Sequence, residues 1–292
     1  MSVQAAGSPP KSLSLADLVR QARGMVHVIR RTRSWTCLRL FWLGERNPRR
    51  VPGVFRFPFG PVRYMDAGMM MTLYREIFLD RDYEVAGLGD APVILDCGGN
   101  IGMSVIWFKQ RYPRARITVF EADPQIADLL EENVRALGLT SVTVVRAAVS
   151  DATGKVSFVP EGSLGGHVGD KQRPDLAPRP VVLVNAVRLS DLITEPVDYL
   201  KVDIEGSEFG VLKDLCATGK MRLVNYLSCE LHCNPDVQDQ VAELWTALTQ
   251  AGFRITVSRA EVCDELPGPP MPTPFLSAPS AKYFVWLYAW RV

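Results

Sequence analysis

From about residue 70 onwards, short apolar segments of strand length alternate with longer segments whose apolar residues recur at helical spacing. This alternation predicts β and α units in turn, and therefore a doubly wound α/β fold around a mostly parallel, seven-stranded sheet. The last two strand-like segments have no helical pattern between them, so we expect a terminal antiparallel strand at one end of the sheet. The predicted strands are PVILDCG, RITVFEAD, VTVVRAAVS, VDYLKVDIEG, VNYLSCEL, FRITVS and KYFVWLYAW.

The first part of the chain follows another pattern, which places two segments before an α/β domain at 71–292. Residues 1–12 are polar and predict a disordered tail, and residues 13–70 predict an extension of helix and short strands. Apolar residues from Leu15 to Ile29 recur at helical spacing, with arginines mostly off that stripe. Such a basic amphipathic helix is typical of a membrane or partner-protein contact, or of a cap packed on the main domain with its arginines in solvent.

Composition narrows the function classes. The chain has 292 residues, 47% hydrophobic and 22% charged, as in folded globular proteins. The formal net charge is +1, but the charges are unevenly distributed along the chain. Residues 1–50 contain ten Lys and Arg and two acidic residues, and the remainder contains 23 Lys and Arg and 30 acidic residues. A nucleic-acid binder with a uniformly basic surface is therefore not expected.

The six cysteines form no metal-binding pattern and indicate reduced thiols in a cytoplasmic protein. That two copies of this chain form a homodimer is a further hypothesis.

Acidic residues follow the predicted parallel strands where each strand ends. Ligands of such sheets bind beyond the carboxyl ends of the strands, so these side chains should share one rim. Several carboxylates at one rim would repel one another, which predicts a cationic ligand, a metal ion or a bound proton there. The rim residues are Asp96, Glu121, Asp151, Asp203, Glu205, Glu230 and, beside the last, His232.

The segment DCGGNIG, residues 96–102, does not fit a dinucleotide-binding loop. Cys97 occupies the place of the first glycine in G-x-G-x-x-G, and the leading Asp96 would repel a pyrophosphate. Glu121, about twenty residues later, suits ribose hydroxyls. A ligand with an adenosine, an amino group and a sulfonium, and without phosphate, fits both acids, which predicts S-adenosylmethionine. The residues predicted to bind it are Asp96, Gly98, Gly99, Asn100, Gly102, Glu121 and Asp203.

The segments ILDCGGNIGMS, VFEADP and YLKVDIEGSEFGVL together resemble the FkbM-like family of S-adenosylmethionine-dependent O-methyltransferases, over roughly residues 73–257. The resemblance implies the Rossmann-like fold of class I methyltransferases, with an antiparallel strand between two others near one sheet edge. It also implies cofactor contacts from the 96–102 loop, Glu121 and the 148–151 turn, including Ala148. It further implies methylation of a hydroxyl group on a sugar, polyketide or other natural product.

The reaction needs a positioned acceptor and a group that removes its proton. The predicted catalytic residues are Asp203, Glu205, Glu230 and His232, each with a structural role as the alternative. His167 lies in a glycine-rich segment and is a candidate substrate contact. The carboxylates would also suit Mg²⁺, although no residue demands a metal.

The sequence leaves two other functions open beside that of an O-methyltransferase. One is an NAD-dependent oxidoreductase, against which Cys97 argues, and the other is a non-catalytic, membrane-attached binding protein on the same fold.

Overall fold

A computed structural model describes residues 15–47, 50–160, 167–168, 180–233, 237–262 and 283–291. The predicted disordered tail at 1–12 lies outside these residues. Among the helices described, none is both long and apolar enough to cross a membrane.

A seven-stranded sheet forms the centre of the molecule, as the alternating pattern predicts. The five strands of this sheet that come first along the chain are parallel, and they belong to the alternating strand–helix units. The strands are β3 (Val93–Cys97), β4 (Arg116–Glu121), β5 (Val142–Arg146), β10 (Val197–Val202), β11 (Val224–Cys233), β12 (Phe253–Val262) and β13 (Tyr283–Arg291). Their spatial order is β12-β13-β11-β10-β3-β4-β5.

Helices cover both faces of this sheet. Alternate residues of one strand point to opposite faces, so Ile94 packs into one core and Leu95 into the other. The first face carries α4 (Met103–Arg111) and α5 (Pro124–Ala136), and the second carries α7 (Glu208–Ala217) and α8 (Gln238–Gln250), with the short α6 (Leu189–Leu192) beside them. Burial on both faces explains why the strand sequences are almost continuously apolar.

The position of the last strand refines the prediction. β13 pairs antiparallel with β12, as expected, but it also pairs antiparallel with β11. The antiparallel strand is therefore terminal in the chain and internal in the sheet, because β13 enters between the two strands that precede it. This is the arrangement that the family resemblance implies.

A second, four-stranded sheet was absent from the sequence prediction. It has the order β6-β9-β7-β8 and consists of β6 (Ala148–Ser150), β7 (Gly154–Val159), β8 (His167–Val168) and β9 (Val182–Arg188). The predicted strand VTVVRAAVS is consequently two strands, because the chain leaves the main sheet at Arg146. The alternation in VLVNAVR, which buries Val184 and Ala186, is a signal that could have revealed β9.

The N-terminal extension packs on the α4–α5 face of the main sheet. It comprises α1 (Leu15–Thr32), α2 (Trp35–Arg46), the hairpin β1 (Gly53–Phe57) and β2 (Gly60–Tyr64), α3 (Ala67–Tyr74) and one π-helical turn, Arg75–Leu79. Leu40, Phe55 and Val62 share one core with Ile106 of α4. The boundary predicted at 70/71 falls inside α3, so this helix continues across it.

Asn133 ties the extension to the segment that follows β3. Its side chain lies in α5 and is fully buried. The amide oxygen accepts a hydrogen bond from the Arg63 N–H at 2.7 Å. The amide nitrogen donates to the carbonyls of Arg63, at 3.0 Å, and Ile101, at 2.8 Å. One side chain thus satisfies three backbone groups from two parts of the chain that are distant in sequence.

Substitution of Asn133 by Ala should destabilise the protein strongly. Each buried backbone group left without a partner costs about 1–3 kcal/mol, so we expect a loss of at least about 2 kcal/mol in the free energy of unfolding. Urea unfolding followed by circular dichroism measures it. Asn225→Ala is the matched control, since Asn225 is exposed and makes one 3.3 Å hydrogen bond to Asp198. Equal losses in the two variants would contradict the role of Asn133.

Candidate active site

A cavity of about 350 Å³ opens at the carboxyl ends of β3, β4, β10 and β11. Residues from the extension, the 98–104 segment and β13 complete its wall. The position agrees with the general rule for open α/β sheets, whose ligands bind where the strand order reverses. Here the reversal lies between β3 and β10.

The glycines after β3 allow the backbone to turn in very little space. Gly98 has φ of 88°, and a Cβ there would overlap the carbonyl oxygen of Asp203. A Cβ at Gly99 would overlap the side chain of Val119. The N–H groups of both glycines donate to the Phe120 carbonyl, at 3.1 and 2.9 Å. The loop is therefore held against β4 and β10 while its outer side lines the cavity.

Glu121 links this loop to the end of β4. Its carboxylate accepts the N–H of Asn100 and that of Asp123, both at 2.8 Å. Burial raises the pKa of Glu121 to about 7, although these two backbone N–H groups act in the opposite direction. Asn100 itself has φ of 47°, a left-handed conformation that Asn tolerates better than most residues. Glu121 thus orders the loop and also faces the cavity.

Lys201 is the buried cation of the site. Its ammonium lies 3.1 Å from Asp96 Oδ1 and 3.7 Å from Asp203 Oδ2, and it donates to the Gly98 carbonyl at 2.7 Å. The parallel register of β10 and β3 places Lys201 directly beside Asp96. Burial alone lowers the pKa of Lys201, but Asp96 and Asp203 outweigh it and the net pKa is raised. Lys201 is therefore charged and neutralises acids at the rim.

A second group surrounds the imidazole of His232. Nδ1 lies 2.9 Å from Glu208 Oε1, and Nε2 lies 3.1 Å from Glu205 Oε2 and 4.0 Å from Glu230 Oε1. Glu208 is fully buried and also accepts the N–H groups of Ile204 and Gly206. Glu208 thus holds both the turn after β10 and the orientation of the imidazole.

The carboxylates around His232 favour bound protons. Burial alone lowers the pKa of His232, but the charges of Glu208 and Glu205 reverse this and raise it well above the usual value. Burial and the nearby Asp203 carboxylate raise the pKa of Glu230 to about 9. Burial likewise raises the pKa of Glu205. Burial and the neighbouring charges therefore favour the protonated forms of Glu205, Glu230 and His232.

The same cluster contains a donor set for a divalent cation. One atom each from Asp203, Glu205 and His232 lie within 4.8 Å of one another. Glu208 on Nδ1 would orient the imidazole as carboxylates do behind many metal-bound histidines. The arrangement is thus suited to a proton or to a cation, and His232 already contacts carboxylates through both nitrogens.

Comparison with known proteins identifies the family. Residues 96–255 match the family model described as "Methyltransferase FkbM domain". The chain belongs to this family of methyltransferases. Methyltransferase sdnD of Sordaria araneosa is 31% identical to it in an alignment 222 residues long, and the match covers 65% of this chain and 84% of that protein. The 31-O-demethyl-FK506 methyltransferase FkbM of Streptomyces tacrolimicus is 29% identical in an alignment 246 residues long, and the match covers 72% of this chain and 92% of that protein.

One solved structure carries the same family name. Methyltransferase FkbM from Methylobacillus flagellatus KT superposes with a TM-score of 0.44 at 15% identity, over 93% of this chain and 60% of that chain.

Most residues predicted for the site of this FkbM-family methyltransferase line the cavity described above. They are Gly98, Gly99, Asn100, Glu121, Ala148, Asp203, Glu205, Glu230 and His232. His167 lies in β8, whose backbone pairs with that of β7. Its side chain is outside the described part of the structure, so a substrate contact from His167 stays a prediction.

Two residues predicted to contact the cofactor do not line the cavity, and their contact with the cofactor stays a prediction. Asp96 is fully buried, accepts the Ser104 hydroxyl at 2.5 Å and pairs with Lys201, so its carboxylate faces the interior rather than the cavity. Gly102 is also buried and precedes α4, with φ of 90°. This φ strains any residue with a Cβ, and a Cβ there would also meet Leu130 Cδ1 at 2.7 Å, so the position favours glycine.

Sequence reasoning missed several residues that shape the site. Lys201 and Glu208 both lie in the family-like segment YLKVDIEGSEFGVL, where a lysine in an apolar strand was a detectable signal. Tyr83 comes from the extension side of the cavity, and its ring centroid lies 5.5 Å from the Lys201 ammonium. Phe284 and Trp286 reach the cavity from β13, with Phe284 5.0 Å from His232 between ring centroids.

Replacement of Lys201 by Met should unfold the site, because the buried Asp96 carboxylate would lose its cation. We expect a loss of about 3–5 kcal/mol in the free energy of unfolding, measured in urea. Lys213→Met is the control, since the 3.0 Å pair of Lys213 with Glu243 lies at the surface and should contribute less than about 1 kcal/mol. The double variant Asp96→Asn/Lys201→Met should regain part of the loss. If it regains none, the two charges are not coupled.

Proposed function

We propose that this FkbM-family protein transfers a methyl group from S-adenosylmethionine to a hydroxyl group of a small molecule, as an O-methyltransferase. The observation that supports this proposal most is the composition of one cavity. A glycine loop and Glu121 lie on one side of it, and an imidazole among carboxylates lies on the other.

The donor set of the cavity fits this cofactor. Glu121, Asp203, Glu205 and Glu230 all face the cavity, and Lys201 is already engaged by Asp96 and Asp203. Carboxylates accept hydrogen bonds from ribose hydroxyls and from an ammonium group, and they attract a sulfonium. A pyrophosphate would meet repulsion from the same acids, which disfavours a dinucleotide. Glu121 is the residue best placed for the ribose, and the 98–100 backbone for the amino-acid part.

The cofactor supplies a methyl group that is already activated, so the protein has to position the acceptor and remove a proton. Alignment of the two reactants can contribute on the order of 7–11 kcal/mol. His232 Nε2 faces the cavity side where Glu205 and Glu230 converge and is the proposed proton acceptor. Glu208 on Nδ1 fixes the tautomer and orientation of the ring.

His232 has to lose its own proton before it can act as a base. Its pKa is raised by Glu208 and Glu205 in spite of burial, so these carboxylates favour the protonated imidazole. A positively charged ligand in the same cavity would lower that pKa again, because like charges disfavour each other. The base would then become active when the cofactor is in place.

The nature of the acceptor follows from the remaining wall and from the relatives. Phe284 and Trp286 give the His232 side of the cavity an apolar surface, which suits the carbon skeleton of a small molecule. The acidic rim disfavours a nucleic acid. The name of the Streptomyces relative specifies a methyl group on oxygen of FK506, which supports an oxygen acceptor in a natural product.

Calorimetric titration of the full chain tests the cofactor. S-adenosylmethionine and S-adenosylhomocysteine should bind, and NAD should not. Glu121→Ala should weaken binding by about 10–100-fold, since a hydrogen bond to a charged group contributes about 1.5–3 kcal/mol. Glu132→Ala, an acid paired with Arg63 at the surface, is the control. Binding of NAD alone, or of none of the three, would overturn the proposal.

The role of His232 is tested by methyl transfer to a hydroxyl acceptor found by mass gain. His232→Ala should lower kcat by about 10²–10⁴-fold and should not weaken cofactor binding, since it removes a group whose positive charge would oppose a cationic ligand. In the wild type the rate should rise with pH through a region above the usual histidine pKa of about 6.5. Glu208→Gln should move that rise to lower pH, and Glu243→Gln should not.

Two results would contradict a proton-accepting His232. One is full turnover by His232→Ala. The other is loss of activity with EDTA that Mg²⁺ restores, which would indicate that Asp203, Glu205 and His232 hold a cation instead.

A further inference from the structure

The outer face of α2 carries a stripe that nothing in the methyltransferase reaction requires. Trp35, Arg39, Trp42 and Arg46 are spaced by four, three and four residues, so they follow one another along one side of the helix. All four are exposed, and Trp35 and Trp42 are 76% and 48% exposed. The opposite side of α2 buries Cys37 and Leu40 in the core. The stripe is therefore on the outside of a helix whose inner face is well packed.

The exposure of Trp35 and Trp42 is unusual for tryptophan side chains. Tryptophan is mostly buried in folded proteins and is enriched where one end of the ring is apolar and the other is wet. The Arg46 guanidinium lies 3.8 Å from the centroid of the Trp42 ring, so a cation and an aromatic ring form one surface element. Such an element has both the apolar area and the positive charge that a headgroup region accepts.

The charge of the two N-terminal helices points to an anionic partner. Residues 15–47 contain seven arginines and two acids, whereas the rest of the chain carries more acids than bases. Arg23, Arg30 and Arg31 of α1 are exposed as well. α1 packs closely on α2, since a Cβ at Gly24 would overlap the ring of Phe41. The pair thus forms one basic unit on an otherwise acidic protein.

A lipid surface fits this unit better than a protein or a nucleic acid does. The exposed indoles of Trp35 and Trp42 form no groove that could hold a partner protein, but they can insert between lipid headgroups. Arginines on the same side can contact lipid phosphates and anionic headgroups.

We infer that α1 and α2 dock this protein on anionic membrane surfaces, with Trp35 and Trp42 inserted at the headgroup level and the arginines on lipid phosphates. The basic amphipathic pattern of the sequence left membrane contact and a packed cap as alternatives. The structure is compatible with both for the α1–α2 pair, because one face of α2 packs on the core and its other face is exposed. This inference is independent of the cofactor and of the methyl acceptor.

Sedimentation of the full chain with phosphatidylcholine vesicles, with and without phosphatidylserine, tests the inference. Binding should require phosphatidylserine and weaken as salt is added. Trp35→Ala/Trp42→Ala and Arg39→Gln/Arg46→Gln should each reduce the partition coefficient by at least about tenfold. Trp245→Ala is the matched control, since Trp245 is 41% exposed but lies in α8. It should bind like the wild type.

Several results would overturn the inference. They are absence of binding to the phosphatidylserine vesicles, equal losses in Trp245→Ala and in the stripe variants, or equal affinity for double-stranded DNA at the same salt. Self-association that the stripe variants abolish, without vesicle binding, would identify a second copy as the occupant instead. Circular dichroism of each variant checks that its fold is unchanged, and the two stripe variants provide separate tests.

Discussion

The buried ion pair between Lys201 and Asp96 is the interaction on which the rest of the site depends. Neither charge is tolerated alone in that environment, and neighbouring parallel strands provide them at the same register position. The Lys201 ammonium also contacts the Gly98 carbonyl and lies near Asp203, and Asp96 accepts the hydroxyl at the start of α4. One pair thus joins two strands, the glycine loop and a helix in one wall of the cavity.

Lys201 neutralises only part of the negative charge at the rim. Glu205, which follows β10, and Glu230 in β11 lie beside His232, and burial makes their ionisation unfavourable. The site therefore has a buried cation on the β3 side and carboxyl groups that favour their protonated forms on the β11 side. In the proposed reaction, the side with Lys201 would hold the cofactor and the side with His232 would act on the acceptor.

The sheet and the acidic rim were predictable, whereas partners across the sheet were not. Apolar runs and helical spacing are local, so the seven strands and the cap at Asp123, which accepts the N–H groups of Gln125 and Ile126, follow from neighbouring residues. The contact of Lys201 with Asp96 joins residues more than one hundred positions apart. Asp96 was assigned to the cofactor because a strand-end acid was assumed to face outward. The second sheet was missed because its short strands are separated by a long segment rich in glycine and proline.

The sequence by itself determined the family, the order of the elements and the kinds of side chain at the strand ends, because these depend on local pattern and on motifs. Only the tertiary structure decided which of those side chains face the cavity and which pair with a buried residue instead. It also decided that α2 packs through one face while Trp35 and Trp42 remain exposed on the other. The reason is that burial and charge pairing depend on the surroundings of a side chain, which packing and strand register create.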